Sequence, residues 1–217
     1  MFRIIKEDKY CNYREIKTKE EAREYQTEKY GDYCKQYIKK CNVMFNYKYR
    51  INEMGYYIEG YLGNTFSYIN DYMRNNKTDN ERYNAVIDRI NELILCAPQT
   101  DEGIVVYRGV SQNTMNIILT QTKGHDGNYM EKAFMSTSLR LETVLREFPS
   151  YDYIMKIYVP KGAFALGVDG IKDRSEEEML FPENQWLKLV NKKKNKVQDR
   201  YIYEFELINY YHAISSN

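Results

Sequence analysis

Proline occurs only four times and histidine only twice in these 217 residues, and the four cysteines form no Cys-x-x-Cys pair. Two histidines and scattered thiols argue against a zinc site, and no metal is expected. Cys11, Cys34, Cys41 and Cys96 read as reduced, mostly packing cysteines of an intracellular protein. Long apolar runs are missing as well. The longest, such as Leu93–Ala97, are four or five residues, against the ~20 needed to span a bilayer. The opening MFRIIKEDKY lacks the apolar core of a signal peptide. The sequence therefore points to action in a cytoplasm, whether of the producing cell or of a host. An excess of one charge is also absent: 32 Lys and Arg stand against 31 Asp and Glu, a net charge of +1. That excludes a global electrostatic footprint for nucleic acid or a membrane surface. Neither a repeat nor an interdomain linker is visible. A chain this long buries roughly 70% of its extended surface. Residues 1–217 are thus expected to form a single domain, with about 1–100 helical and 101–217 a sheet core.

What is present is apolar and aromatic. Hydrophobic residues make up 43% and aromatic residues 15%, enough to exclude a disordered chain. The abundance of Tyr, 23 residues, with Asn, Lys and Ile plentiful and Ala sparse, fits an AT-rich genome. The first half has helical period. Thr18-Lys19-Glu20-Glu21 fits a capping box, and Tyr30, Cys34, Tyr37, Ile38 and Cys41 follow at helical spacing. Over 79–97, Tyr83, Val86, Ile87, Ile90, Leu93, Ile94 and Ala97 form one stripe, which Pro98 ends.

The second half changes period. Ile104–Tyr107 is a β-branched run, and 151–159 forms another strand, stopped by Pro160-Lys161-Gly162. Ala133–Met135 leads into Ser136, and Leu139–Phe148 is helix-like. Trp186–Val190 and Tyr201–Ile208 complete the strands, joined through a basic turn over Asn191–Lys196. Helices first and strands later mark an α+β fold rather than a βαβ succession.

Three short segments can carry chemistry. Tyr107-Arg108-Gly109 ends an apolar strand with an arginine, whose planar donor fork suits a phosphate or carboxylate; an edge salt bridge is the plainer reading. Ser136-Thr137-Ser138 places two hydroxyls on one strand face, able to orient a carboxylate or simply to end the strand. Arg174-Ser175-Glu176-Glu177-Glu178-Met179-Leu180-Phe181 sets an acidic triplet directly against core residues. If extended, Glu176 and Glu178 share a face and Glu177 points away. Two such close carboxylates repel, which tends to raise one pKa and leave an acid/base beside an ionised partner.

Taken in order, these segments resemble the arginine-type mono-ADP-ribosyltransferases with the Arg–Ser–Glu signature, especially the enzymatic components of clostridial and bacillar binary toxins. The likeness covers roughly residues 55–210. Upstream, Tyr61-Leu62-Gly63-Asn64-Thr65-Phe66-Ser67-Tyr68-Ile69-Asn70 matches a further family stretch, continued by Asp71-Tyr72-Met73-Arg74. The resemblance implies an ADP-ribosyltransferase-like fold, with N-terminal helices packed on a core of two mainly antiparallel sheets and a cleft between them. It implies a monomer that moves ADP-ribose from NAD to an arginine of a target protein and releases nicotinamide, without a metal.

The residue roles follow by motif match. Glu178 would hold the ribose hydroxyl and stabilise an oxocarbenium-like state, and Glu176 would act as general base toward the incoming guanidinium. Ser136 would position Glu178, and Arg108 would grip an NAD phosphate or ribose. Gly109, Thr137, Lys156, Tyr61 and Tyr153 would complete the NAD pocket. Family members with Gln in place of Glu176 modify Asn or other acceptors, so Glu176 points to arginine.

Two departures stand out. Lys156 occupies a position where the family often has an arginine that binds phosphate. Residues 167–175 also lack the aromatic that often contacts the target. The delivery domain of the binary toxins is not apparent either, which suggests a phage, viral or injected effector, or an intracellular toxin. Competing readings are an NAD glycohydrolase, in which water replaces arginine, and a binding module whose site has lapsed. A nucleic-acid-modifying transferase is disfavoured by the balanced charge and by Glu176.

Overall fold

Strand β1 (Ile104–Val110) shows why a sheet forms here. Its β-branched residues fill both faces: Ile104, Val106 and Val110 join the main core, while Val105 and Tyr107 enter a smaller cluster with Val144, Ile154, Tyr158 and Ile202. The computed structural model describes residues 9–44, 58, 60–171 and 176–208. Helices α1 (Lys19–Met44), α2 (Phe66–Arg74, entered through a π-helical turn at Tyr61–Thr65) and α3 (Glu81–Leu95) precede the sheet. α4 (Gln112–Gly124) and α5 (Leu141–Glu147) are inserted within it. The remaining strands are β2 (Asn128–Glu131), β3 (Met135–Ser138), β4 (Tyr153–Val159), β5 (Leu166–Gly167), β6 (Glu178–Phe181), β7 (Gln185–Val197) and β8 (Arg200–Ile208).

The capping box forms: Glu21 N–H donates to Thr18 Oγ1 at 3.1 Å. The Glu21 carboxylate reaches back one residue further than expected, to the Lys17 N–H at 3.0 Å. Asn80 caps α3 by accepting from Tyr83 N–H, and Val86, Ile87, Ile90, Leu93 and Ile94 bury the expected stripe. Tyr30 and Cys34 are buried on α1, whereas the side chains of Tyr37, Ile38 and Cys41 lie outside the described residues. Cys11 and Cys96 are exposed, so of the described cysteines only Cys34 packs.

The strand order is β2-β7-β8-β4-β1-β3-β6-β5, and every pairing is antiparallel except β4 with β8. The two expected sheets are two leaves of one hydrogen-bonded sheet. A five-stranded leaf ending in β1 meets the three-stranded leaf β3-β6-β5 at one register pair, Tyr107↔Ser138. The basic stretch after Val190 is not a turn. It runs within β7 through two register shifts, and the reversal comes at Gln198-Asp199, both with positive φ (47° and 63°). Those dihedrals suit a tight hairpin whose twist matches its strands.

Candidate active site

Backbone alternation along β1 puts Arg108 on the face opposite Tyr107. There it meets a carboxylate from the neighbouring segment: Glu131 Oε2 accepts from Arg108 Nη1 at 3.1 Å. The same Glu131 accepts from Arg74 Nε at 3.0 Å and Nη2 at 3.2 Å, from the Tyr129 hydroxyl at 3.2 Å, and from Ala133 N–H at 3.2 Å. Glu131 is 2% exposed. Burial alone would push its pKa up, but the Arg108 and Arg74 guanidiniums outweigh it and hold the group below the usual carboxylate range.

A group with a depressed native pKa contributes stability above its unfolded value, and that contribution is lost as pH falls through the native pKa. Glu131→Gln is accordingly expected to cost about 3 kcal/mol at pH 7, the lower end for breaking a buried pair, since Arg74 remains partly in water. The deficit should shrink below the ordinary value of 4.5. Thermal melts of both proteins across pH 3–7, at roughly unit intervals, check the sign; a deficit that stays constant with pH would contradict it.

On the smaller leaf, β3 and β6 pair with Ser138 opposite Glu178 and Ser136 opposite Leu180. Ser136 lies diagonally across from Glu178, and its hydroxyl donates to Glu178 Oε1 at 2.5 Å. Glu178 is 2% exposed. Its backbone is fixed from the helical side: Gln26 of α1 donates to the Glu178 carbonyl at 3.2 Å and accepts from Asp169 N–H at 3.2 Å. Gly167 permits that approach, because a Cβ there would sit 2.8 Å from both Gln26 Oε1 and Tyr30 Cδ2. Tyr61 is buried with its ring edge-on to Phe134, centroids 5.3 Å apart. Its phenol donates to Asn70 Oδ1 at 3.2 Å, and burial pushes its pKa up; Glu178 adds to that rise, and Arg108 and Arg74 oppose it.

The acidic triplet is not the simple alternating strand expected. β6 begins at Glu178, Glu176 is half-buried in a bend before it, and Glu177 takes φ 45° in the left-handed region. Glu177 does point to the other side, yet into the protein: it is fully buried, accepts from the Thr143 hydroxyl, and has Arg140 Nη1 3.8 Å from its Oε1. Arg174 and Ser175 lie outside the described residues.

The structure thus brings Ser136 to Glu178 and, as a second group, Arg108 and Arg74 to Glu131, with Tyr61 feeling the charge of Glu178, Arg108 and Arg74. Lys156 is not placed beside Arg108. β4 pairs Lys156 with Tyr107 and Met155 with Arg108, so alternation sends Lys156 to the opposite face, where Nζ lies 3.4 Å from Glu15 Oε2. Gly109 faces the same way, with Tyr151, Val144 and Phe148 around the position its Cβ would take. Thr137 is buried and donates to the Met179 carbonyl at 2.9 Å, a strand tie on the side away from Ser136. Tyr153 shares the face of Arg108 but packs against Tyr201 and Tyr203. An open depression lined by Tyr72, Lys77, Asp79 and Tyr83, among others, contains none of Arg108, Ser136 or Glu178 in its wall. Among the described residues no cluster of His, Cys, Asp or Glu is placed to hold a metal ion, and no helix is long and apolar enough to cross a membrane. Sequence reasoning missed Glu131 and the place of Arg74 beside it. The only available signal was the two-residue spacing that puts Tyr129 and Glu131 on one strand face.

A family model described as ADP-ribosyltransferase exoenzyme matches residues 13–208. The chain belongs to this family. Solved structures agree on the ADP-ribosyltransferase fold. Plx2a, an ADP-ribosyltransferase toxin from Paenibacillus larvae, superposes with a TM-score of 0.69 at 22% identity over 88% of this chain and 96% of its own. The C3 exoenzyme of Clostridium limosum gives 0.69 at 18% identity, over 91% and 98%. BECa, an ADP-ribosylating toxin of a binary enterotoxin of C. perfringens solved with NADH, gives 0.70 at 18% identity over 91% of this chain; the match spans 50% of that protein. No curated protein matches by sequence. The α+β architecture expected of an ADP-ribosyltransferase is thereby established.

Proposed function

We propose that this ADP-ribosyltransferase transfers ADP-ribose from NAD to an arginine side chain of a target protein. The observation that carries the reading is the buried Glu178 carboxylate, held by Ser136 at 2.5 Å, in a fold that also gathers Arg108 and Arg74 on the buried Glu131. These residues fit a dinucleotide with a cationic nicotinamide. Two guanidiniums share one carboxylate, which leaves a net positive charge for a diphosphate. A fixed, buried carboxylate at Glu178 suits positive charge.

NAD supplies a glycosidic bond to a positively charged leaving group. Glu178 stabilises the positive charge that develops at the ribose as that bond lengthens, and Ser136 keeps its carboxylate aimed. Glu176 takes the proton that a guanidinium must lose before its nitrogen can attack. Arg108 orients the substrate through the donors turned away from Glu131, while Glu131 fixes the guanidinium plane.

Arg108→Lys is expected to weaken NAD binding about 10- to 100-fold, the equivalent of losing one charged hydrogen bond. Calorimetric titration of both proteins with NAD tests this, with a thermal melt to confirm that the variant folds. Equal dissociation constants would remove Arg108 from the binding role. Nicotinamide release in the presence and absence of an arginine-containing acceptor separates transfer from hydrolysis.

A further inference from the structure

The middle glutamate of the acidic triplet has no part in the chemistry just described, yet it is the most deeply buried of the three. Glu177 is fully shielded, and its Oε2 accepts from the hydroxyl of Thr143 on α5. Arg140, just before α5, lies with Nη1 3.8 Å from Glu177 Oε1 and is itself 7% exposed. The backbone is tied at the same place: Leu139 N–H donates to the Glu177 carbonyl at 3.0 Å, and Ser138 Oγ donates to the Glu176 carbonyl at 2.8 Å. A buried carboxylate with one hydroxyl and one guanidinium is costly to build. A non-glycine residue in the left-handed region adds roughly 1 kcal/mol or more. Both costs fall on the residue that joins Glu176 to Glu178.

We propose that Glu177 is a positioning residue, whose anchorage to Thr143 and Arg140 holds Glu176 at the place from which it serves the arginine acceptor. This rests on the reading of Glu176 as the base. The two flanking glutamates depend on the anchor unequally. Glu178 lies in β6, paired to β3 and β5, with its carbonyl held by Gln26 and its carboxylate by Ser136. Glu176 stands outside the strand in a bend, and the left-handed turn at Glu177 sets the direction in which it leaves β6. Loosening Glu177 therefore displaces Glu176 and leaves Glu178 where β6 holds it.

The test compares Glu177→Gln and Thr143→Val with the unaltered protein. ADP-ribosylation of agmatine, a small guanidinium acceptor, NAD hydrolysis without acceptor, and thermal unfolding are measured in parallel. Transfer by the Gln variant should fall about 10-fold, as expected for a base misplaced by a fraction of an ångström, while hydrolysis stays within about threefold. The Val variant, which keeps shape and loses only the hydroxyl, should show the same split at smaller size. A loss of stability alone would lower both activities together. Unchanged transfer, or parallel loss of transfer and hydrolysis in a folded variant, overturns the proposal. Should the Gln variant not fold, the Val variant decides by the same criterion. Glu176→Gln serves as comparator: if it transfers normally, the reading of Glu176 itself is wrong, an outcome distinguishable from failure of Glu177 alone.

Discussion

Glu178→Gln is expected to abolish nicotinamide release with or without an acceptor, a loss of about 10²–10³-fold or more in turnover. In the proposed mechanism this carboxylate stabilises the positive charge that develops at the ribose, whatever attacks it. Gln keeps the shape and can still accept from Ser136, so the fold should survive. What disappears is the negative charge in a place closed to water, where it acts most strongly. Nicotinamide release and labelling of an arginine-containing protein should be followed in parallel. A Gln variant that still releases nicotinamide near the unaltered rate would remove Glu178 from the centre of the reaction.

Glu176→Gln is expected to separate the two activities. A guanidinium has an unperturbed pKa above ~12 and is not nucleophilic until it loses a proton, whereas water reacts at the ribose with far less help from a base. A positioned base contributes on the order of 10²–10⁴-fold to such a step. Transfer to arginine should fall by that factor while hydrolysis remains readily measured. Equal loss of both would make Glu176 part of the shared machinery and favour a hydrolase.

The parts of the site that could be read from the sequence are those where one residue type at one spacing decides the geometry. Ser136 and Glu178 meet because period-2 alternation on paired strands leaves little choice. The stripe on α3 is buried as its 3.6-residue period requires. Lys156 was misplaced because a strand buried on both faces gives no sign of which face is which: Ile154 and Met155 are equally hidden, yet lie on opposite sides. Glu131 was invisible for another reason. Tyr-Met-Glu-Lys looks like a solvated loop, and only the arrival of Arg74 and Arg108 from distant segments makes burial of that carboxylate tolerable. Glu177 reads from the sequence only as pointing away from Glu176 and Glu178. Its direction follows from alternation, but its partners Thr143 and Arg140 come from a helix whose docking no local pattern announces.

The strand order has a consequence for biosynthesis. β8, the last strand made among those described, lies in the interior of the sheet, between β7 and β4. Among the described residues, the backbone pairing of β2, which carries Glu131, is with β7, and through β7 and β8 with the rest of the sheet. A nascent chain that has already emerged past Glu178 still lacks β7, the strand to which β2 is hydrogen-bonded. β8 is thus the strand through which the edge bearing Glu131 joins β4 and, beyond it, the strand of Arg108, and it is the last of the described strands to be synthesised.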